Sequence, residues 1–217
     1  MIGIVGGTGD FGQGLAERLR RAGEEVELGS RTPHDEFVSN RDCAQDSDIV
    51  FLSVPPEGLA QMCASLAADL EGKVVVSVAS PVVFKNGKPG AEPGELSLAE
   101  LAAQGAPGAR MVAGFHTVSA KALARVDEPL DEDVILCGDD EEAKAVVAEL
   151  AERLVALSDF GDLEPGGGAA LPPPSLARLF FSASKRLTTL AGRSAACTTG
   201  GLRPLRLASI SSSSASS

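Results

Sequence analysis

Ile2-Gly3-Ile4-Val5-Gly6-Gly7-Thr8-Gly9-Asp10-Phe11-Gly12, with Leu15 and Leu19 behind it, decides the fold. Ile2 to Val5 is a short apolar run and reads as a buried strand. Gly7, Gly9 and Gly12 spell G-x-G-x-x-G. Phe11, Leu15 and Leu19 then fall at four-residue steps, a helical stripe. Strand, glycine turn and helix in that order form the context that a dinucleotide fingerprint requires. The first glycine permits the tight turn, the second lets backbone approach a pyrophosphate, and the third lets the helix pack on the strand. The helix N-terminus offers free N–H groups to the anion. Gly7, Thr8, Gly9, Asp10, Phe11 and Gly12 are therefore the expected pyrophosphate site.

The second strand, Val26-Glu27-Leu28, runs into Gly29-Ser30-Arg31. An NAD-preferring site places Asp or Glu at this tip to bind the ribose 2′-OH. Ser30 and Arg31 offer a hydroxyl and a guanidinium instead, which suit a 2′-phosphate. Glu27 lies inside the strand rather than at its tip. NADP is thus expected over NAD.

Composition sets the outer bounds. A chain of 217 residues with 44% apolar content can bury one good core and a small appendage. Its apolar runs are strand-length, so no transmembrane span is expected. The first strand starts at residue 2, so no signal peptide is expected, and the location expected is cytoplasmic. Cys43, Cys63, Cys137 and Cys197 are scattered without metal-ligand spacing and read as reduced thiols. No metal site is expected. Net charge is −11, and the body formed by residues 1–164 carries all 30 acids and 13 of the 19 bases. Such a body argues against nucleic-acid binding.

Strands and helices alternate along the body. A polar loop is expected over 32–40 and strands over 48–54 and 73–78. A helix is expected over 59–70, then a long Gly/Pro loop over 85–94 and a short helix over 96–104. Further strands are expected over 110–115 and 133–137. Asp139 stands three residues before Glu142, the spacing of a capping box. The helix that follows carries Ala143, Val146, Val147, Leu150, Leu154 and Leu157 on one face. This alternation predicts an α/β fold, a doubly wound parallel sheet, with residues 1–158 as the nucleotide-binding domain.

Ligands of such sheets bind beyond the C-terminal strand ends. That singles out Val54-Pro55-Pro56, Ser80-Pro81-Val82 and His116-Thr117-Val118-Ser119 beside the first two loops. Each has a plainer reading. Val54-Pro55-Pro56 also suits a helix-starting turn, Pro81 a strand stop, and His116 a half-buried loop histidine.

Taken together, these segments resemble the coenzyme F420:NADP oxidoreductase family. The matching pieces are Gly6 to Ala16, Gly29-Ser30-Arg31, Asp48 to Pro55, Phe115-His116-Thr117-Val118-Ser119-Ala120 and Val134 to Asp140. They run in family order across roughly residues 1–163. The resemblance implies reversible hydride transfer between NADP(H) and the deazaflavin coenzyme F420, in a homodimer. It places Thr8 to Phe11 on the pyrophosphate and Ser30-Arg31 on the 2′-phosphate. Val54-Pro55 and Ser80-Pro81-Val82 line the ring pocket, and His116 to Ala120 face the nicotinamide or the deazaflavin. Such chemistry needs no catalytic acid or base, because stacked rings carry it, and His116 acts by position. Family members often carry a Lys a few residues past the Arg, where this chain reads Thr32-Pro33-His34-Asp35. Two other functions remain open on the same nucleotide fold: an NADP-dependent imine or carbonyl reductase, and a non-catalytic NADP-sensing protein.

Past Leu163 the resemblance stops. From Pro165 onward the chain holds six bases, Arg178, Lys185, Arg186, Arg193, Arg203 and Arg206, and no acid. Gly, Pro, Ser and Ala take over. Residues 159–217 are expected to form a small C-terminal segment with one helix over 175–191 and a flexible Ser-rich end. The same composition arises when a GC-rich gene is read out of frame, and the alternative is a basic tail that docks on the acidic body or a partner.

Overall fold

The computed structural model of the chain describes residues 1–86, 88–91, 96–130, 132–156 and 180–181. Its centre is a six-stranded parallel sheet. β1 (Ile2–Val5) pairs on one side with β2 (Val26–Ser30), which pairs with β3 (Phe37–Ser39). On the other side β1 pairs with β4 (Ile49–Leu52), then come β5 (Val74–Ser77) and β8 (Arg110–Ala113). Between β5 and β8 lies the antiparallel hairpin of β6 (Val82–Lys85) and β7 (Lys88–Ala91). The order 3-2-1-4-5-8 reverses direction between β1 and β4, as the expected doubly wound fold requires.

The central strands β1, β4 and β5 read as nearly continuous apolar runs because both faces are covered. The pleat sends Ile4, Phe51, Val74 and Val76 to one face, with Leu15 and Leu19 of α1 (Asp10–Arg21) and Val147, Leu150 and Leu154 of α6 (Glu141–Ala156). Val5, Val50, Leu52 and Val75 face the other way. They meet Cys43 of α2 (Asn40–Asp46), Leu59 and Cys63 of α3 (Pro56–Ser65) and Ala102 of α4 (Leu98–Gly105). Each fully buried Leu, Ile, Val or Phe stabilises the fold by about 1.5–3 kcal/mol. α5 (Ala120–Ala124) is tied to α1 by Arg18, which is 4% exposed. Its guanidinium donates to the carbonyls of Ala122, Leu123, Arg125 and Glu128 at 2.7–3.1 Å. Burial, more than the nearby Arg21 and Arg125, pushes its pKa down.

Several local expectations need correcting. The loop over 32–40 contains β3, since Phe37 and Val38 join the ladder of β2, two apolar residues being too few to show a period. Helix α2 then starts at Asn40, capped by Ser39. The Gly/Pro loop contains most of the hairpin. The segment over 133–137 is not a parallel strand of the main sheet. β9 (Ile135–Leu136) is two residues long, and Cys137 bridges Ala113 antiparallel at the outer edge of β8. Asp140, not Asp139, caps α6. Its Oδ1 accepts from Ala143 N at 2.9 Å, and Arg110 grips the same carboxylate at 2.6 and 2.9 Å. Val146 is 41% exposed and lies off the buried stripe. Leu157, the 158/159 boundary and the frame-shift reading lie outside the described residues. So does the expected helix over 175–191, apart from β10 (Phe180–Phe181), which is extended and pairs in parallel with β9.

Candidate functional site

At the reversal point the loops after β1 and β4 part and leave a cleft of about 850 Å³. The turn after β1 forms its floor through Gly6, Thr8, Gly9 and Phe11. Ser30, Arg31 and Thr32 at the tip of β2 form one end. Ser53 to Gly58 after β4 and Val78-Ala79-Ser80 after β5 form the opposite wall.

The glycine turn has the shape that the sequence requires. A Cβ on Gly12 would lie 2.7 Å from Gly7 Cα and 2.9 Å from Gly7 O, so helix and turn pack backbone to backbone. A Cβ on Gly9 would meet nothing within 4 Å, which leaves the approach from the cleft open. Gly9 is also the N-cap of α1, and no side chain caps that end. The first N–H groups of the helix and the positive end of its dipole are thus available to an anion. Gly7 lies behind the turn, where its N–H donates to Gly29 O at 2.9 Å. Asp10 opens α1 and is exposed. Neither Gly7, Asp10 nor Gly12 lines the cleft.

Ser30 and Arg31 differ in what they have free. Ser30 is 7% exposed, and its hydroxyl donates to Thr32 O and accepts from Thr32 N, both at 3.0 Å. That hydroxyl shapes the loop. Arg31 is exposed, and among the described residues its guanidinium has no hydrogen-bond or ion-pair partner. His34, two residues on, stacks on Phe37 and bonds Thr32 O through Nδ1 at 2.9 Å.

Of the expected ring-pocket residues, Val54, Pro55 and Ser80 line the cleft, while Pro81 and Val82 lie beyond it toward the hairpin. His116, Ser119 and Ala120 do not line it either. His116 is half-buried, and burial pushes its pKa below the usual histidine value. Phe115 before it is buried edge-on against Phe51 and holds φ at +60°, a conformation rare for a bulky side chain. Ser119 caps α5, and its N–H and hydroxyl both donate to Glu132, at 2.7 and 2.9 Å.

Asn40 was not legible in the sequence. It lines the cleft from the start of α2, and its Oδ1 accepts from Gly6 N at 3.0 Å. No motif marks it, because it follows a strand too short to recognise. Glu57 and Met62 of α3 also lie on the wall. Arg31 and Glu57 are the titratable side chains on the cleft among the described residues.

An uncapped helix N-terminus, an open glycine and a free guanidinium at the switch point of a parallel sheet define a dinucleotide-binding protein of the Rossmann class. Residues 1–81 match the family model described as NADP oxidoreductase, coenzyme F420-dependent. The chain is 33% identical over 189 residues to the F420-dependent NADP reductase of Methanocaldococcus jannaschii, covering 75% of this chain and 84% of that one. It is 34% identical over 189 residues to the F420-dependent NADP reductase of Methanothermobacter thermautotrophicus, covering 75% and 82%. A crystal structure from Arthrobacter sp. FB24 superposes with a TM-score of 0.61 at 27% identity, covering 70% of this chain and 80% of that one. The chain belongs to the F420-dependent NADP reductase family.

Proposed function

We infer that the protein transfers a hydride between NADP(H) and coenzyme F420. In the direction of deazaflavin reduction, C4 of NADPH gives a hydride to C5 of the deazaflavin and one proton comes from solvent, so NADP⁺ and reduced F420 result. The chain's own task is to hold, align and desolvate two flat rings. The amides of the turn from Thr8 to Phe11 take the pyrophosphate at the start of α1, and Arg31 takes the 2′-phosphate beside the loop that Ser30 shapes. Val54 and Pro55, with Ser80, Pro81 and Val82, wall the rings, and His116 to Ala120 face the nicotinamide or the deazaflavin, His116 acting by position. The observation that carries this reading is the free Arg31 at one end of a cleft whose floor is the uncapped α1 N-terminus.

A homodimer, a cytoplasmic location, and the division into a nucleotide-binding domain (1–158) and a small C-terminal segment (159–217) belong to the same proposal. The resemblance supports the dimer. The thiols of Cys43 and Cys63, buried and in no disulfide among the described residues, support a reducing compartment. Among the described residues no helix is long and apolar enough to cross a membrane. Reading the gene in its other two frames past codon 165 tests whether the C-terminal segment is frame-shifted.

The decisive experiment mixes the protein, NADPH and oxidised F420 and follows the visible band of the deazaflavin. Bleaching at a rate proportional to protein is expected. NADPH binding without bleaching would favour the sensing protein, and NADPH oxidation by imines or carbonyl compounds in its place would favour the other reductase.

A further inference from the structure

Asn40 is the buried polar side chain on the cleft that the reading above leaves without a task. It is 8% exposed. Gly6 N–H can only donate, so the amide oxygen of Asn40 must face it, at 3.0 Å. This fixes the NH₂ end on the other side, where its partner is the thioether of Met62 at 3.9 Å. A thioether is a weak acceptor. Two N–H donors therefore stand at the wall of a cleft, nearly out of water, with no oxygen to receive them among the described residues. Buried donors in native proteins are nearly always satisfied, and one left over on a cleft points to the ligand.

The place of Asn40 says which part of the ligand. Its helix begins directly after β3, next to the tip of β2. Gly29 makes room for it, since a Cβ there would lie 2.8 Å from Asn40 Oδ1 and 3.2 Å from its Cα. The same cleft end carries Ser30, Arg31 and Thr32. This is the end at which Rossmann proteins read the adenosine ribose. A carboxylate there accepts from a ribose 2′-OH, whereas an amide donor serves a 2′-phosphate.

We propose that Asn40 is a specificity-determining residue, whose Oδ1 holds the glycine turn through Gly6 while its Nδ2 donates to the 2′-phosphorylated ribose of the coenzyme. The inference rests on the NADP-binding reading and adds a second contact to Arg31. It predicts that the NADPH/NADH preference is written partly in α2, outside the Gly-Ser-Arg loop.

The test is a pair of variants titrated with NADPH and with NADH by fluorescence, each checked by thermal melting. Asn40→Asp keeps an oxygen for Gly6 and replaces the donor with a negative charge. NADPH is expected to weaken by about tenfold or more, the size of a lost charge-assisted hydrogen bond, with NADH unchanged or tightened. Asn40→Ala removes both contacts. It is expected to lower the NADPH/NADH ratio in the same sense even if Asn40→Asp fails to fold. Equal weakening of both coenzymes in Asn40→Ala would show that the residue acts through Gly6 alone, and the proposal falls. Unchanged affinities in both variants also overturn it. Wild-type protein that binds neither coenzyme would instead sink the NADP reading itself, together with this one.

Discussion

Replacing two glycines of one motif by alanine separates packing from coenzyme approach. Gly9 has φ −83° and ψ 165°, open to any residue, and its added Cβ meets nothing within 4 Å. Two small opposing effects act on stability. A less flexible unfolded chain gains about 0.4–1 kcal/mol, and Ala is a worse N-cap than Gly by up to about 1 kcal/mol. They nearly cancel, so the Tm of Gly9→Ala should move by less than about 4 °C. Gly12 is different. Its Cβ would sit 2.7 Å from Gly7 Cα and 3.0 Å from Gly7 C, and backbone cannot rotate away. Overpacking of this kind costs about 1–3 kcal/mol, or roughly 2–12 °C in a chain of this size. Binding should show the reverse sensitivity for Gly9. Its methyl fills the space through which a pyrophosphate reaches the first amides of α1. A misfit of about 1.4–2.7 kcal/mol weakens NADPH and NADH alike by about ten- to a hundredfold. Coenzyme fluorescence and thermal melting on both variants check this. Wild-type affinity in Gly9→Ala would refute the placement of the pyrophosphate on this turn.

Arg31→Ala should weaken NADPH by about ten- to a hundredfold, from about 1.5–3 kcal/mol for a charge-assisted contact, and leave NADH nearly untouched. Equal losses for the two coenzymes would remove its assignment. His116→Ala should slow deazaflavin reduction by up to about a hundredfold without abolishing it, the scale of a positioning loss. Complete inactivation with intact NADPH binding would make His116 a proton donor. Because burial lowers the pKa of folded His116, the unfolded chain takes up that proton first as pH falls below about 6.5. Stability contributed by its neutral form is therefore present above that pH and lost below it. His116→Gln should flatten Tm against pH just under 6.5, and an unchanged slope would count against the burial. The Arg110 guanidinium, with Ala143 N–H, holds the Asp140 carboxyl far below its usual pKa. That contribution is present above the unfolded value and fades as pH falls from about 5 toward 1. Asp140→Asn should thus melt lower at neutral pH and approach wild type in acid. A constant offset between the two would mean that the ion pair is not the cause.

How far the sequence could be read follows from which signals are local. β1, the glycine turn and α1 were legible because hydrophobic period, turn residues and helix start all lie within about twenty residues and agree. The buried runs of β4 and β5 were legible for a related reason, since a strand covered on both faces has no polar residue to interrupt it. β3 was missed because Phe37-Val38 owes its strand to the ladder with β2, a contact that no window over 32–40 contains. β9 was misjudged because Val134 and Leu136 have strand-like apolar character, yet what they cover is the edge of β8. Asp139 and Asp140 are equivalent as caps in sequence, and Arg110, thirty residues away, selects Asp140. The site divides in the same way. Arg31 was visible at the tip of β2, whereas the occupation of the Ser30 hydroxyl by Thr32 and the aim of Asn40 at Gly6 exist only in three dimensions.

The acidic body makes the grip on the phosphates a local matter. The chain carries 30 acids against 19 bases, and NADPH adds three phosphate groups of the same sign. At physiological ionic strength the Debye length is about 8 Å, so acids spread over the exposed helices act weakly on the cleft. What counts is the charge within that distance. Among the described residues the carboxylate on the cleft itself is Glu57, on the wall after β4, and the guanidinium is Arg31, at the tip of β2, while the exposed Asp10 opens α1 beside the turn. Between them lie backbone amides and the positive end of α1, which attract phosphate without adding a counter-charge that the surrounding acids would neutralise. An acidic protein can in this way bind a polyanion. The long-range field opposes it weakly, and a few oriented donors in a small volume, Arg31 foremost, decide the outcome.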